Sequence, residues 1–144
     1  MCAIAGILNL KMTEDTIEKM HQTMRRRGPD AKGVFRDRDA TLLHARLAVI
    51  DPMGGQQPMT FSLGGEEYTI VYNGELYNTN ELRRELMKLG HSFQGHSDTE
   101  VLLQGYARWG REVLEKLTCR RQNGLLEALY DFCYWHILCC LLRG

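Results

Sequence analysis

The sequence has no surplus of charge: over its 144 residues, eighteen basic side chains offset eighteen acidic ones. That balance gives no footing for nucleic acid, an anionic membrane surface or an acidic substrate. It also lacks any apolar run near the roughly 20 residues that cross a bilayer. The first residues, Met1-Cys2-Ala3-Ile4-Ala5-Gly6-Ile7-Leu8, have no basic lead-in and reach Lys11 too soon for a secretory leader, so export is not expected. The cysteines number five, an odd count, irregularly spaced and crowded after position 118. This does not read as the disulfide framework of a small secreted domain. There is no internal repeat and no low-complexity linker. What remains, 44% hydrophobic and 25% charged residues, fits one ordinary globular domain with the cytoplasm as its expected compartment.

Residues 2–8 form an apolar run of strand length with small residues interspersed, and read as a strand buried on both faces. Thr13 can cap a helix whose apolar side is Ile17, Met20 or His21, and Met24, ending in the breaker-rich Arg25-Arg26-Arg27-Gly28-Pro29-Asp30. Strands are expected over 33–36 and 40–50, the second stopping at Asp51-Pro52. Gly54-Gly55 and Gly64-Gly65 flank a loop and a hairpin-like return into a β-rich segment over 67–72 that runs into Asn73-Gly74. Asn78 to Asn80 opens a helix with Leu82, Leu86 and Leu89 on one side and Gly90 as its stop. Ser97-Asp98-Thr99-Glu100 has the capping-box pattern and starts another helix. Short strands that return on themselves, segregated from helices, favour an α+β fold.

Four places can carry chemistry. Removal of Met1 would leave Cys2 with both a thiol and a free α-amino group. An amine of that kind has a reference pKa of about 7.7–8.0 and can take a thiol proton without a histidine. Taken alone, Cys2 also reads as a small buried hydrophobe. Asn73 and Gly74 can offer a side-chain amide and a backbone N–H to one oxygen, as in an oxyanion hole; Asn-Gly is also the commonest tight-turn dipeptide. Arg46, in a strand otherwise made of Leu, Ala, Val and Ile, needs an anion if it is buried and none if it faces solvent. Asp98 either serves a ligand or complements its helix dipole. An Arg and an Asp together suit a zwitterionic amino acid, whereas His44 reads as a packed strand residue.

Taken together, these residues resemble the class II glutamine amidotransferases and, within them, the glutaminase domain of the asparagine synthetases. The marks are the Met-Cys start with Ala-Ile-Ala-Gly-Ile, Arg27-Gly28-Pro29-Asp30, His44-Ala45-Arg46-Leu47-Ala48-Val49-Ile50-Asp51, Gln57-Pro58-Met59, Tyr72-Asn73-Gly74-Glu75-Leu76-Tyr77-Asn78 and Ser97-Asp98-Thr99-Glu100-Val101. The resemblance covers roughly residues 1–117 and implies an N-terminal-nucleophile αββα sandwich, incomplete at its C-terminus. It implies Cys2 as nucleophile, Asn73 and Gly74 as oxyanion hole, Arg46 on the glutamine α-carboxylate, and Glu75 with Asp98 on the α-ammonium group. Backbone of Leu47, Ala48, Val49 and Ile50 would line the same pocket. Glutamine is the implied substrate, with no metal or cofactor in this step. A synthetase domain, normally on the same chain and absent here, would use ATP and magnesium to turn aspartate into asparagine, in what is a homodimer among full-length members. No nucleic acid or membrane partner is implied.

Ala3 stands where the family commonly has Gly or Ser. After Leu117 the pattern breaks: residues 118–144 form a cysteine-rich, apolar tail. It reads as a frameshift or truncation, as a divergent helix, or as a metal site from Cys119, Cys133, His136, Cys139 and Cys140 that lacks the paired knuckles of structural zinc. A sheet without its closing strands would leave edges and apolar face uncovered, so poor solubility or partial folding is expected. The competing functions are therefore a working glutaminase, a catalytically silent fragment or regulatory amino-acid-binding module, and the glutaminase of another class II amidotransferase.

Overall fold

The computed structural model describes residues 2–48, 55–117 and 142–143. The expected stop at Asp51-Pro52 and the three readings of the tail fall outside these residues. The first sheet is antiparallel, in the order β1 (Ala3–Leu8), β3 (Ala40–Arg46), β2 (Ala31–Arg36). The central strand β3 is buried along its whole length. Its Leu43 and Ala45 pack on Ile17 and Met24 of α1 (Glu14–Met24). By the pleat, Leu42, His44 and Arg46 turn to the opposite side.

β1 corrects one expectation. Among the described residues it borders only β3, its residues are half-buried or exposed, and Leu8 is 57% exposed. An apolar run identifies a strand but not its rank in the sheet, and here β3, with a neighbour on each side, is the strand buried on both faces.

α1 starts as its cap requires, with the Thr13 hydroxyl accepting from the Thr16 N–H at 3.3 Å. Surface pairs from Lys32 to Glu18 at 2.6 Å and from Arg36 to Glu14 tie it to β2. Exposed pairs of this kind contribute about 0–1 kcal/mol each. Core burial, at about 1.5–3 kcal/mol for a Leu or Ile side chain, carries the fold.

The second sheet joins β4 (Met59–Leu63), β5 (Glu66–Ile70) and β6 (Leu142–Arg143), all antiparallel. Gly64 and Gly65 make the β4–β5 turn with φ of 64° and 87°, the two positive values that a two-residue hairpin demands and that glycine adopts freely. α3 (Asp98–Trp109) lies on this sheet, its Leu102 and Leu103 meeting Tyr68, Ile70 and Tyr72 in one cluster. α2 (Thr79–Lys88) packs Leu82 and Leu86 beside Val101. Leu89 does not join them: it is 44% exposed at the helix end, just before Gly90 turns the chain at φ 91°. The result is an α+β fold with two small sheets, α1 on one and α3 on the other. No helix among the described residues is long and apolar enough to cross a membrane.

Candidate functional site

Cys2 precedes β1 by one residue, and the pairing of Ala3 with Ala45 brings it to the end of β3. There the Leu47 N–H donates to the Cys2 sulfur at 3.4 Å, and the thiol points back to the Leu47 carbonyl at 3.7 Å. Among the described residues the sulfur is thus held by a backbone segment. That segment is itself fixed by Gly28 and Asp30. A Cβ on Gly28 would lie 2.1 Å from the Ala45 oxygen and 2.5 Å from the Arg46 nitrogen, so only glycine lets the loop run against β3. The Asp30 N–H donates to the Arg46 carbonyl at 2.9 Å, and the Ala48 N–H donates to the Asp30 carboxylate at 2.7 Å.

Arg46 is only 6% exposed, which removes the reading of a strand residue facing solvent. His44 is packed, at 1% exposure, and its Nε2 finds no hydrogen-bond partner among the described residues. Burial first, then the Arg46 charge and His21, push His44 down to about 4. It is a neutral ring between β1 and β2.

Asn73 and Gly74 follow the end of β5. Neither has a positive φ, so this Asn-Gly is not the two-residue turn its composition favours. The reason for glycine is instead contact: a Cβ on Gly74 would lie 2.7 Å from the Tyr72 hydroxyl oxygen and 2.8 Å from the nearest atom of its ring. Asn73 is half-buried, while Gly74 and Glu75 are exposed. Asp98 holds the far side of this loop. One carboxylate oxygen accepts from the Leu76 N–H at 3.2 Å and the other from the Thr99 N–H at 2.8 Å. It therefore meets the helix end, as the dipole reading requires, and also the loop. The Ser97 hydroxyl caps Glu100 N–H at 3.3 Å, whereas the Glu100 carboxylate takes the N–H groups of Gln94 and Gly95.

The expected residues thus fall into two groups. Cys2, Arg46, Leu47 and Ala48 gather at the end of β3; Asn73, Gly74, Glu75 and Asp98 gather between β5 and α3. Val49 and Ile50 lie outside the described residues. Sequence reasoning gave no role to Asp30, Gln57 or Thr99, although all three sit in motifs that stand out for their order. Among the described residues no group of three or more His, Cys, Asp and Glu side chains is placed to hold a metal ion.

A family model described as a glutamine amidotransferase domain matches residues 1–121. Asparagine synthetase [glutamine-hydrolyzing] 3 of Bacillus subtilis is 44% identical over 136 residues, covering 91% of this chain and 21% of the relative. Asparagine synthetase B [glutamine-hydrolyzing] of Escherichia coli is 35% identical over 135 residues, covering 91% of this chain and 23% of the relative. Asparagine synthetase [glutamine-hydrolyzing] 1 of Arabidopsis thaliana is 37% identical over 123 residues, covering 81% and 20%. The chain belongs to the class II glutamine amidotransferase domain family, in the branch related to the asparagine synthetases, and spans about a fifth of the length of these curated relatives.

Proposed function

We propose that this chain is a glutaminase of the N-terminal-nucleophile type that releases ammonia from glutamine. The observation that carries the reading is the Cys2 sulfur seated on the Leu47 backbone next to a buried arginine. A thiol at a strand end, seated on the residue that follows a buried arginine, with a glycine-bearing loop following the other sheet, has the parts for acyl transfer from an amino-acid amide. The two sheets with α1 and α3 on them are read as the layers of an αββα sandwich.

In this mechanism the free α-amino group of Cys2 takes the thiol proton, and the sulfur attacks the side-chain amide carbon of glutamine. The Asn73 amide and the Gly74 N–H stabilise the oxyanion of the tetrahedral intermediate. Collapse breaks the C–N bond, ammonia leaves with the proton returned by the α-ammonium, and a γ-glutamyl thioester remains. Water, deprotonated by the same amine, then hydrolyses the thioester to glutamate and regenerates the thiol. Arg46 pairs with the substrate α-carboxylate, Glu75 and Asp98 receive its α-ammonium, and backbone over 47–50 lines the pocket. The step needs no cofactor. The ammonia serves ATP- and magnesium-dependent synthesis of asparagine from aspartate in a synthetase domain of the kind found in the relatives.

The test combines intact mass with ammonia release from glutamine on one purified sample, with Cys2→Ala as control. Loss of the Met1 mass and Cys2-dependent ammonia release are expected. A retained Met1, or a folded sample no more active than Cys2→Ala, would sink the proposal.

A further inference from the structure

Gln57 joins the two groups of site residues. Its backbone carbonyl occupies the space in front of Gly33 of β2, 1.9 Å from where a Cβ would be, with the Pro58 Cδ at 2.7 Å. That contact fixes Gln57 against the first sheet. Its side chain reaches the second: the carboxamide oxygen accepts from the Tyr72 N–H at 2.5 Å, and the carboxamide nitrogen donates to the Thr99 hydroxyl at 3.1 Å. Thr99 is 3% exposed, and its N–H binds the same Asp98 whose other oxygen holds Leu76. The loop of residues 73–75 is therefore tethered at both ends, at Tyr72 by Gln57 and at Leu76 by Asp98, and both tethers are braced on the first turn of α3. A half-buried amide used on both its donor and acceptor sides, against a buried Tyr72 and Thr99, favours one geometry, because a shift of the loop breaks both hydrogen bonds at once.

We infer that Gln57 is a positioning residue for the Asn73 and Gly74 donors, holding them in register with the first sheet that carries Cys2. The inference rests on the glutaminase reading for its catalytic consequence. Its structural content, that the Gln57 carboxamide fixes the start of the loop, stands independently. A donor displaced by about 1 Å costs on the order of 10²-fold in rate, and the loss falls on the transition state, where the oxyanion forms, not on substrate binding.

The experiment uses the full chain with two substitutions. Gln57→Met keeps the side-chain length and removes both hydrogen bonds; Gln57→Glu keeps an acceptor for the Tyr72 N–H. Gln57→Met is expected to lower kcat for glutamine hydrolysis by on the order of 10²-fold, with KM changed less than about threefold. It should also speed exchange of the Tyr72 amide hydrogen by at least about tenfold, and Gln57→Glu should recover most of both. Alkylation of Cys2 by iodoacetamide, which needs the thiol and not the donor pair, is expected to stay within about twofold of wild type. Wild-type kcat or unchanged Tyr72 exchange in Gln57→Met overturns the inference. So does alkylation that falls in step with kcat, since the damage is then at the thiol. If the wild-type chain releases no Cys2-dependent ammonia, the glutaminase reading fails, and the exchange of Tyr72 still decides the tether.

Discussion

The two halves of the site are built by different physics. At the end of β3, the segment that seats Cys2 is fixed mainly by close approach: the loop at Gly28 lies on the Ala45 and Arg46 backbone with no room for a methyl group. After β5, the loop of residues 73–75 is fixed mainly by side-chain hydrogen bonds from Gln57 and Asp98. Steric fixation is stiff and intolerant, because backbone cannot move aside. Hydrogen-bonded fixation is directional and adjustable, and a substitution that keeps one partner keeps part of the effect. The thiol half should therefore respond to volume and the donor half to hydrogen-bonding capacity.

The sharpest way to break this contrast is Gly28→Ala. The added Cβ meets the Ala45 carbonyl carbon at 2.2 Å, and all three nearest atoms are backbone. A cost of about 3 kcal/mol and a fall in Tm on the order of 10 °C are expected, followed by circular dichroism on heating. A melting temperature within a few degrees of wild type would show that the loop shifts freely, and the steric account of the thiol half would be wrong.

Next in size is acid. His44 lies beside Arg46 in the thiol half, and its folded value of about 4 is below the ordinary 6.5 because of burial first and the Arg46 charge second. His21 is lowered too, by burial and then Lys32, against an opposing pull from Glu18. Between about pH 6.5 and 4 the unfolded chain takes up a proton at His44 that the folded chain refuses. Stability is thus fully present above pH 6.5 and declines as the pH falls towards 4, by on the order of 2 kcal/mol for this group. Urea midpoints at pH 7 and pH 5 measure the slope, and His44→Leu should flatten it whatever its effect at pH 7. An equal slope in that variant would assign the acid sensitivity elsewhere.

Much of this was legible before the fold was known, and for local reasons. The Thr13 cap, the Gly64 and Gly65 hairpin and the Ser97 cap are decided by neighbours within four residues, so their chemistry is written in consecutive letters. The rank of β1 in its sheet and the exposure of Leu89 depend on what lies across space, which periodicity does not encode. Asn73-Gly74 is the instructive case. Its local signal points to a tight turn, yet its backbone takes no positive φ, and its glycine answers to the Tyr72 ring folded over it. The roles of Gln57 and Thr99 were hidden for the same reason: they are separated by 42 positions, and each is an ordinary polar residue until the other is beside it.

Asp30 gives the smallest effect and the finest discrimination, because its side chain brings a hydrogen bond to the half of the site that is otherwise held by close approach. Its carboxylate is exposed but accepts from the Ala48 N–H at 2.7 Å, one residue beyond the Leu47 N–H that meets the sulfur. Asp30→Ala removes that acceptor and leaves the Asp30 N–H bond to the Arg46 carbonyl, which is main chain, in place. A loss of about 1 kcal/mol follows from one hydrogen bond at an accessible site. If close approach at Gly28 dominates, the variant melts only a few degrees lower. Labelling of Cys2 by 6-diazo-5-oxo-L-norleucine, an electrophilic glutamine analogue, then slows no more than about fivefold, in line with that energy. Asp30→Asn, which keeps an oxygen to accept from Ala48, should stay close to wild type in both measurements. A collapse of labelling in Asp30→Ala comparable to that in Gly28→Ala would mean that the carboxylate, and not the steric contact, seats the thiol, and the two halves of the site would then be held by the same kind of force.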